Sequence, residues 1–190
     1  MAGETGVRAG SALVAAPGLL DPNFRRTVVL VLDARGSGAL GLVLNRPSEV
    51  PVRDVLPTWG PHTTRPHALY VGGPVEQRAA LCVAALSAGV QLDATDGVIG
   101  VHGGVALLDL DADPAVLAPK VRGLRVYAGY AGWGAGQLDA EIARGDWVVV
   151  PALPDDVLAP PDADLWAAVL RRQGMPLCLL ASYPPDPTLN

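Results

Sequence analysis

Three short segments carry residue types that could build an anion-binding site. The first, Asn45-Arg46-Pro47, places an amide and a guanidinium beside a residue of fixed φ at the end of a predicted strand. Such a corner could bind a carboxylate or a phosphate, because a guanidinium donates paired hydrogen bonds to either group. It could equally cap a turn, because an asparagine side chain readily hydrogen-bonds nearby backbone groups. The second segment, Gly72-Gly73-Pro74, ends another predicted strand.

The third segment, Gly132–Gly136, encloses Trp133 and leads into a predicted helix. Glycines let a ligand approach the backbone, and a helix N-terminus offers free N–H groups to an anion. Two observations oppose an anion here. Asp139 and Glu141 already complement the helix dipole, and residues 126–143 include no lysine or arginine. We therefore favour a structural corner in which Trp133 packs across the turn.

A glycine pattern elsewhere resembles a nucleotide-binding motif. Gly36–Gly41 (GSGALG) matches G-x-G-x-x-G, which binds a dinucleotide only when a helix follows. A strand-like run follows here, so we predict a hairpin turn instead. No cofactor is predicted.

Catalytic and metal-binding motifs find little support. The chain has no G-x-S-x-G nucleophile motif, and neither cysteine has a histidine nearby in sequence. His102 is predicted to be a hydrogen-bonded structural residue. Three alternating aspartates, at 109, 111 and 113, could hold a hard cation, but a solvated acidic loop is the favoured interpretation. No metal site is predicted.

Composition limits the classes of function. The length of 190 residues fits a single domain over residues 1–190, and a hydrophobic fraction of 50% is typical of a globular chain. The net charge of -5 and the scattered arginines count against direct nucleic-acid binding. No run of eighteen apolar residues occurs, so we predict no membrane span and expect a cytoplasmic location.

Strand-like runs outnumber helical runs and follow a mixed order, which predicts an α+β fold. The predicted strands lie at residues 11–17, 26–33, 40–47, 68–74, 96–104, 123–130 and 146–153. The predicted helices lie at residues 52–59, 113–121, 136–145 and 162–174. Residues 78–86 fit either type, and their alanines favour a helix.

Four blocks of the chain resemble the AlgH/YqgE family of bacterial proteins in order and spacing: DPNFRRTVVLV, GALGLVLNRP, LYVGGPV and GYAGWGAGQLDAEIARGDWVVVPA. The resemblance covers nearly the whole chain. It implies an α+β fold with a mixed, bent or bifurcated β-sheet, a small barrel-like portion and surrounding helices. It also implies a regulatory, transcription-related role, and it supplies no catalytic residue and no cofactor.

Two classes of function follow. The leading one is a regulatory or protein-interaction role without identifiable catalytic activity, exerted through an unknown protein partner more than through bound DNA. The alternative is a module that binds a small anion or a nucleotide, or an enzyme, with its site where the three segments converge. The candidate binding residues are Asn45, Arg46, Gly72, Gly73, Gly132, Trp133, Gly134 and Gln137.

Overall fold

Strands dominate the backbone of the computed structural model, which describes residues 6–92 and 94–185. The strands in these residues are β1 (Ser11–Ala15), β2 (Val28–Arg35), β3 (Gly38–Val43), β4 (Pro47–Pro51), β5 (Ala68–Val71), β6 (Val75–Leu86), β7 (Val98–His102), β8 (Val105–Leu108), β9 (Val121–Gly134) and β10 (Trp147–Pro151). The helices are α1 (Val52–Val55), α2 (Pro114–Leu117), α3 (Gln137–Ala143), α4 (Pro154–Val157) and α5 (Leu165–Arg171). The α+β prediction is confirmed.

The glycine pattern at Gly36–Gly41 forms a β-hairpin. β2 pairs with β3 in antiparallel register from Val29↔Val43 to Arg35↔Gly38. Gly38 lies against β9, where an added Cβ would come within 2.3 Å of the Trp133 carbonyl oxygen. The hairpin prediction is therefore confirmed, and the glycines serve strand pairing, not a pyrophosphate.

β9 is the longest strand and joins two parts of the sheet. Its last residues pair with β3, while most of its length pairs with β6. β5 runs parallel to β9 through Tyr70↔Tyr127 and in turn pairs with β4. The sheet therefore forks on one side of β9, with β3 along one branch and the β5–β4 pair along the other.

The sheet curls into a half-barrel along the order β10-β1-β2-β3-β9-β6-β8-β7. β1 lies between β2 and β10, pairing with β10 from Ser11↔Pro151 to Ala15↔Trp147. The β7 end curves toward the segment before β1, so that an added Cβ on Gly10 would lie 3.3 Å from the Cβ of His102. The concave face holds an apolar core from both halves of the sheet, including Leu30 and Val83.

The helices are shorter than predicted, and they do not surround the sheet. α5 closes one end of the half-barrel, where the indole Nε1 of Trp166 donates to the carbonyl oxygen of Ala15 at 2.8 Å. α3 lies on the opposite face of β1, where Leu13 packs with Leu138. Curling lets the sheet bury its own concave face, so less helical cover is needed.

The structure decides one choice that the sequence left open and corrects one prediction. Residues 78–86 lie in β6, where pairing with β8 on one side and β9 on the other outweighs the helix preference of alanine. Gly132 and Gly134 lie within β9 instead of in a turn, because β9 continues along β3 to Gly134. The turn begins after that, and Gly136 with φ +72° precedes α3.

Candidate functional site

Asn45 acts as a substitute strand partner at the end of β3. Its side-chain Oδ1 accepts from the Val28 N–H at 3.0 Å, and its Nδ2 donates to the Arg26 carbonyl oxygen at 2.8 Å. Both bonds join β3 to the start of β2. The side chain of Asn45 therefore bonds to a distant strand, and not to the nearby backbone groups that capping of a turn would require.

Gly72 and Gly73 lie at the fork of the sheet, where two backbones cross at close range. Gly72 donates to the Ala128 carbonyl and accepts from the Val43 N–H, both at 2.8 Å. An added Cβ would lie 2.3 Å from the Gly129 oxygen at Gly72, and 2.1 Å from the Tyr130 carbonyl carbon at Gly73. Any larger residue would push the branches apart, so both glycines serve the fork.

Glu141 organises the corner formed by the end of β9, α3 and the start of β10, called the Trp133 corner below. Its Oε2 accepts from the indole Nε1 of Trp133 and of Trp147, both at 2.9 Å. Its Oε1 accepts from the Gln137 Nε2 at 3.0 Å. The two indoles are 6% and 4% exposed, and Phe24 stacks on Trp133. The prediction that Trp133 packs across the corner is confirmed.

Gln137 completes this network from the first position of α3. Its Oε1 accepts from the Gly134 N–H at 3.0 Å, while its amide nitrogen reaches Glu141. Gly132 pairs with Leu40 of β3. The polar side chains of the corner therefore bond chiefly to one another.

Two of the three predicted segments converge on one surface pocket. Arg46, Pro47, Gly73 and Pro74 line it, and its volume is about 220 Å³. The other lining residues are Pro22, Asn23, Val43, Val71 and Gln77. Asn23 and Gln77 were not among the sequence-predicted candidates, although Asn23 lies within the DPNF block and Gln77 follows the GGPV block. We call this cavity the Arg46 pocket.

Arg46 is the charged group of this pocket. Its Nη2 donates to the Arg25 carbonyl oxygen at 2.6 Å, and no carboxylate of residues 6–92 or 94–185 pairs with it. Partial burial, and then the nearby charge of Arg25, hold the Arg46 pKa below its usual value. The side chain remains a cation at neutral pH, and an anion beside it would relieve both effects.

The third segment faces a different cavity. Gly134 and Gly136 line a broad depression of about 560 Å³ together with Gly36 and Gly38 of the β2–β3 hairpin. The structure therefore brings together the first and second segments and separates them from the third.

Arg125 provides a contrasting cation. It is 1% exposed, donates to the carbonyl oxygens of Val157 and Leu158 at 2.8 and 3.3 Å, and lies 4.5 Å from the centre of the Tyr70 ring. Burial raises the pKa of Tyr70 and of Tyr127 beside it, so both phenols stay neutral at physiological pH. Carbonyl dipoles and a ring face thus take the place of a counter-ion, and Arg125 fastens the end of α4 to β9.

The other chemically suggestive residues are His102 and the three alternating aspartates. His102 is exposed, and within the part of the chain that is described its imidazole makes no hydrogen bond, so the prediction of a hydrogen-bonded residue was wrong. Asp113 caps α2, accepting from the Ala115 N–H at 2.9 Å. The described residues contain no group of three or more side chains suited to a metal ion, and no helix among them is long and apolar enough to span a membrane.

Comparisons with known proteins all identify relatives from one family. An AlgH-like family model matches residues 12–178. Proteins named UPF0301 from Rhodococcus opacus and Mycolicibacterium smegmatis are 56% and 51% identical, over 98% and 97% of this chain and 93% and 92% of theirs.

Two solved structures share the fold. A crystal structure of a Corynebacterium diphtheriae protein is 40% identical, with a TM-score of 0.88 over 93% of both chains. The solution structure of AlgH from Pseudomonas aeruginosa is 27% identical, with a TM-score of 0.65 over 97% of this chain and 98% of that one. The resemblance seen in the four sequence blocks is confirmed, and the chain belongs to the AlgH-like family.

Proposed function

We propose that this protein has a regulatory, protein-interaction role, and that the Arg46 pocket receives a carboxylate from its protein partner. The observation that supports this most is the state of Arg46. It is a half-buried cation, its charge is held beside Arg25, and no carboxylate among the described residues compensates it. A carboxylate brought by a partner would make charge-assisted hydrogen bonds that the isolated chain lacks.

The walls of the pocket suit a short segment of protein. Val71, Pro47 and Pro74 provide apolar surface, and Val71 is 38% exposed. Asn23 and Gln77 add amide groups that can hydrogen-bond a peptide backbone. Of these groups, arginine is enriched at protein interfaces relative to the rest of the surface.

The size of the pocket favours one anionic group over a whole nucleotide. Pockets for drug-sized ligands usually measure roughly 300–1,000 Å³. The Arg46 pocket, at about 220 Å³, is smaller. A single carboxylate side chain, or a chain terminus, fits this size while the rest of the partner lies outside. A small inorganic anion shares this chemistry and is the alternative occupant.

Charge supports a protein partner over DNA. The net charge is -5, and a binding surface for a phosphate backbone requires a basic patch. Arg25 and Arg46 alone would neutralise few phosphates. Gly132, Trp133, Gly134 and Gln137 are not part of this pocket, and their contribution to a ligand site stays a prediction from the sequence.

The test compares three forms of the purified chain as capture baits in extract of the native host: the wild type, Arg46→Gln and Arg171→Gln. Arg171 is an exposed arginine in the last turn of α5, so its variant controls for loss of one positive charge. We expect a partner to be retained by the wild type and by Arg171→Gln and lost with Arg46→Gln. Identical sets of captured proteins for all three baits would contradict the proposal.

A second measurement identifies the anion. Backbone amide spectra are recorded while a blocked glutamate peptide, its glutamine counterpart or inorganic phosphate is added. The proposal predicts shifts around residues 43–47 and 71–77 with the glutamate peptide alone. Tight saturable binding of phosphate, with no response to the peptide, would instead indicate a small-anion module.

A further inference from the structure

A second cavity, distinct from the Arg46 pocket, opens at one end of the half-barrel. Its volume is about 520 Å³, which falls within the usual range for a small-molecule site. Its walls come from both halves of the curled sheet. The aliphatic side chains that line it include Leu30, Leu32, Leu40, Leu81, Ile99 and Leu107. We call it the barrel-mouth cleft.

The cleft is the open end of the apolar core. At the other end, Trp166 of α5 seals the concave face by bonding to Ala15, the last residue of β1. The cleft lies beside Gly10, just before the first residue of the same strand. Leu32, Leu81 and Leu107 pack against the core from this side and are only partly buried. The core thus continues into a space that no described helix covers.

Ile99 shows most directly that this apolar surface is left uncovered. It lies on β7 at the edge of the cleft, and 64% of its side chain is exposed. An aliphatic side chain next to the partly buried Leu32, Leu81 and Leu107 creates contiguous apolar surface, which typically marks a binding site. A ligand that filled the cleft would bury Ile99 together with those leucines.

The polar groups of the cleft lie on Asp33, Arg35 and His102. Arg35 Nε and Asp33 Oδ1 are 2.9 Å apart, but the two side chains are 80% and 51% exposed, so this ion pair is weak and can rearrange. His102 is exposed and makes no hydrogen bond in the described part of the chain. Arg35 and His102, which can both donate to an anion, therefore line the cleft together with the Asp33 carboxylate.

The lining determines the chemical class of the ligand. It contains no phenylalanine, tyrosine or tryptophan, so nothing in it would stack on a nucleobase. Arg35 and His102 are exposed, whereas the leucines are buried or partly buried, which separates an aliphatic region from a polar one. We propose that the barrel-mouth cleft binds an amphiphile with a single aliphatic chain and a carboxylate head. The chain lies along Leu81 and Leu107, and the head binds Arg35 and His102.

The test is a calorimetric titration of the wild-type protein with hexanoate, octanoate, decanoate and dodecanoate, each below its micelle concentration. Affinity should rise about fourfold for each added methylene, the fold-change that corresponds to about 0.8 kcal/mol. The matching alcohols should bind more weakly than the carboxylates, and Arg35→Gln should reduce that difference.

Two exposed aliphatic residues provide the matched variants. Ile99→Gln should weaken dodecanoate binding by about fivefold to tenfold, while Val116→Gln, at a 52% exposed valine of α2, should leave it unchanged. Absence of saturable binding, affinity independent of chain length, or equal loss in both variants would overturn the proposal. So would a stable dimer that Ile99→Gln dissociates and dodecanoate does not, because a second copy would then cover the cleft.

Discussion

The Trp133 corner and the Arg46 pocket each contain one central charged side chain, and the two charges differ in how far the chain itself compensates them. In the corner, the Glu141 carboxylate accepts three hydrogen bonds, from two indoles and one amide, all within the chain. In the pocket, the Arg46 guanidinium has a single backbone carbonyl as its described partner. A charge that is already compensated holds the fold together, whereas an uncompensated one is available to another molecule.

This contrast separates stability from binding. Groups that bond to one another cannot bind a ligand without first breaking those bonds, which costs about 1–3 kcal/mol for each buried group left unsatisfied. Substitutions in the corner should therefore lower the free energy of unfolding. Substitutions of Arg46 should change binding and leave the fold intact.

The largest effect should come from Trp133→Ala. The ring is 6% exposed and contacts Phe24 and Trp147. Its removal leaves a cavity, so the free energy of unfolding should fall by about 3–5 kcal/mol, measured by denaturant titration. Leu20→Ala, at a side chain that is 57% exposed, is the control. A change within about 0.5 kcal/mol for Trp133→Ala would mean that the corner contributes little to stability.

An intermediate effect is expected from Glu141→Ala. The variant leaves the indole N–H groups of Trp133 and Trp147 without their acceptor, and the free energy of unfolding should fall by about 1–3 kcal/mol.

Gln137→Ala removes bonds that lie at an exposed position and should cost less, about 0.5–1 kcal/mol. Denaturant titrations of both variants measure the two losses in unfolding free energy, and the loss for Glu141→Ala should be the larger. A larger loss for Gln137→Ala would show that Glu141 is not the centre of the network.

The smallest effect on stability should come from Arg46→Gln, whereas substitution of the neighbouring Asn45 should have a larger one. Folding already lowers the Arg46 pKa, so its charge adds no stability at neutral pH, and removal should change the unfolding free energy by less than about 0.5 kcal/mol. Asn45→Ala should cost about 1–3 kcal/mol, because it leaves the Val28 N–H and the Arg26 carbonyl unpaired. Equal losses in thermal or denaturant unfolding would remove the distinction between these neighbours.

Local patterns predicted most strands because β-branched runs are unambiguous where turns bound them. The sequence left residues 78–86 open between strand and helix because the choice there depends on partners distant in sequence, such as Leu124 opposite Ala84. The extension of β9 through Gly132 has the same cause, since Leu40 pairs with it. Helices were expected to surround the sheet, but the curled sheet buries its own concave face. This curling arises only when the strands assemble, so no local pattern predicts it.

The candidate site was predictable only in part. Arg46 and Gly73 were predicted from their residue types alone, because an arginine can bind an anion and a glycine lets a ligand approach the backbone. These two residues identified two walls of the pocket. That no carboxylate of the described residues pairs with Arg46 is a fact about packing, and no spacing in the sequence indicates it. The barrel-mouth cleft was missed for a related reason: Leu32, Leu81 and Leu107 lie on three strands and have the pattern of ordinary core residues.

The position of β1 between β2 and β10 has a consequence for how the chain is made. β2 emerges from the ribosome soon after β1, but the other neighbour of β1 is about 140 residues away, at Ser11↔Pro151. Until residues 147–151 have been synthesised, the apolar strand β1 has an unpaired edge, which can pair with other chains. Pairing over such separations is also slow to form. Nascent chains that end before β10 should therefore depend on chaperones, and release from them should coincide with the synthesis of this last strand.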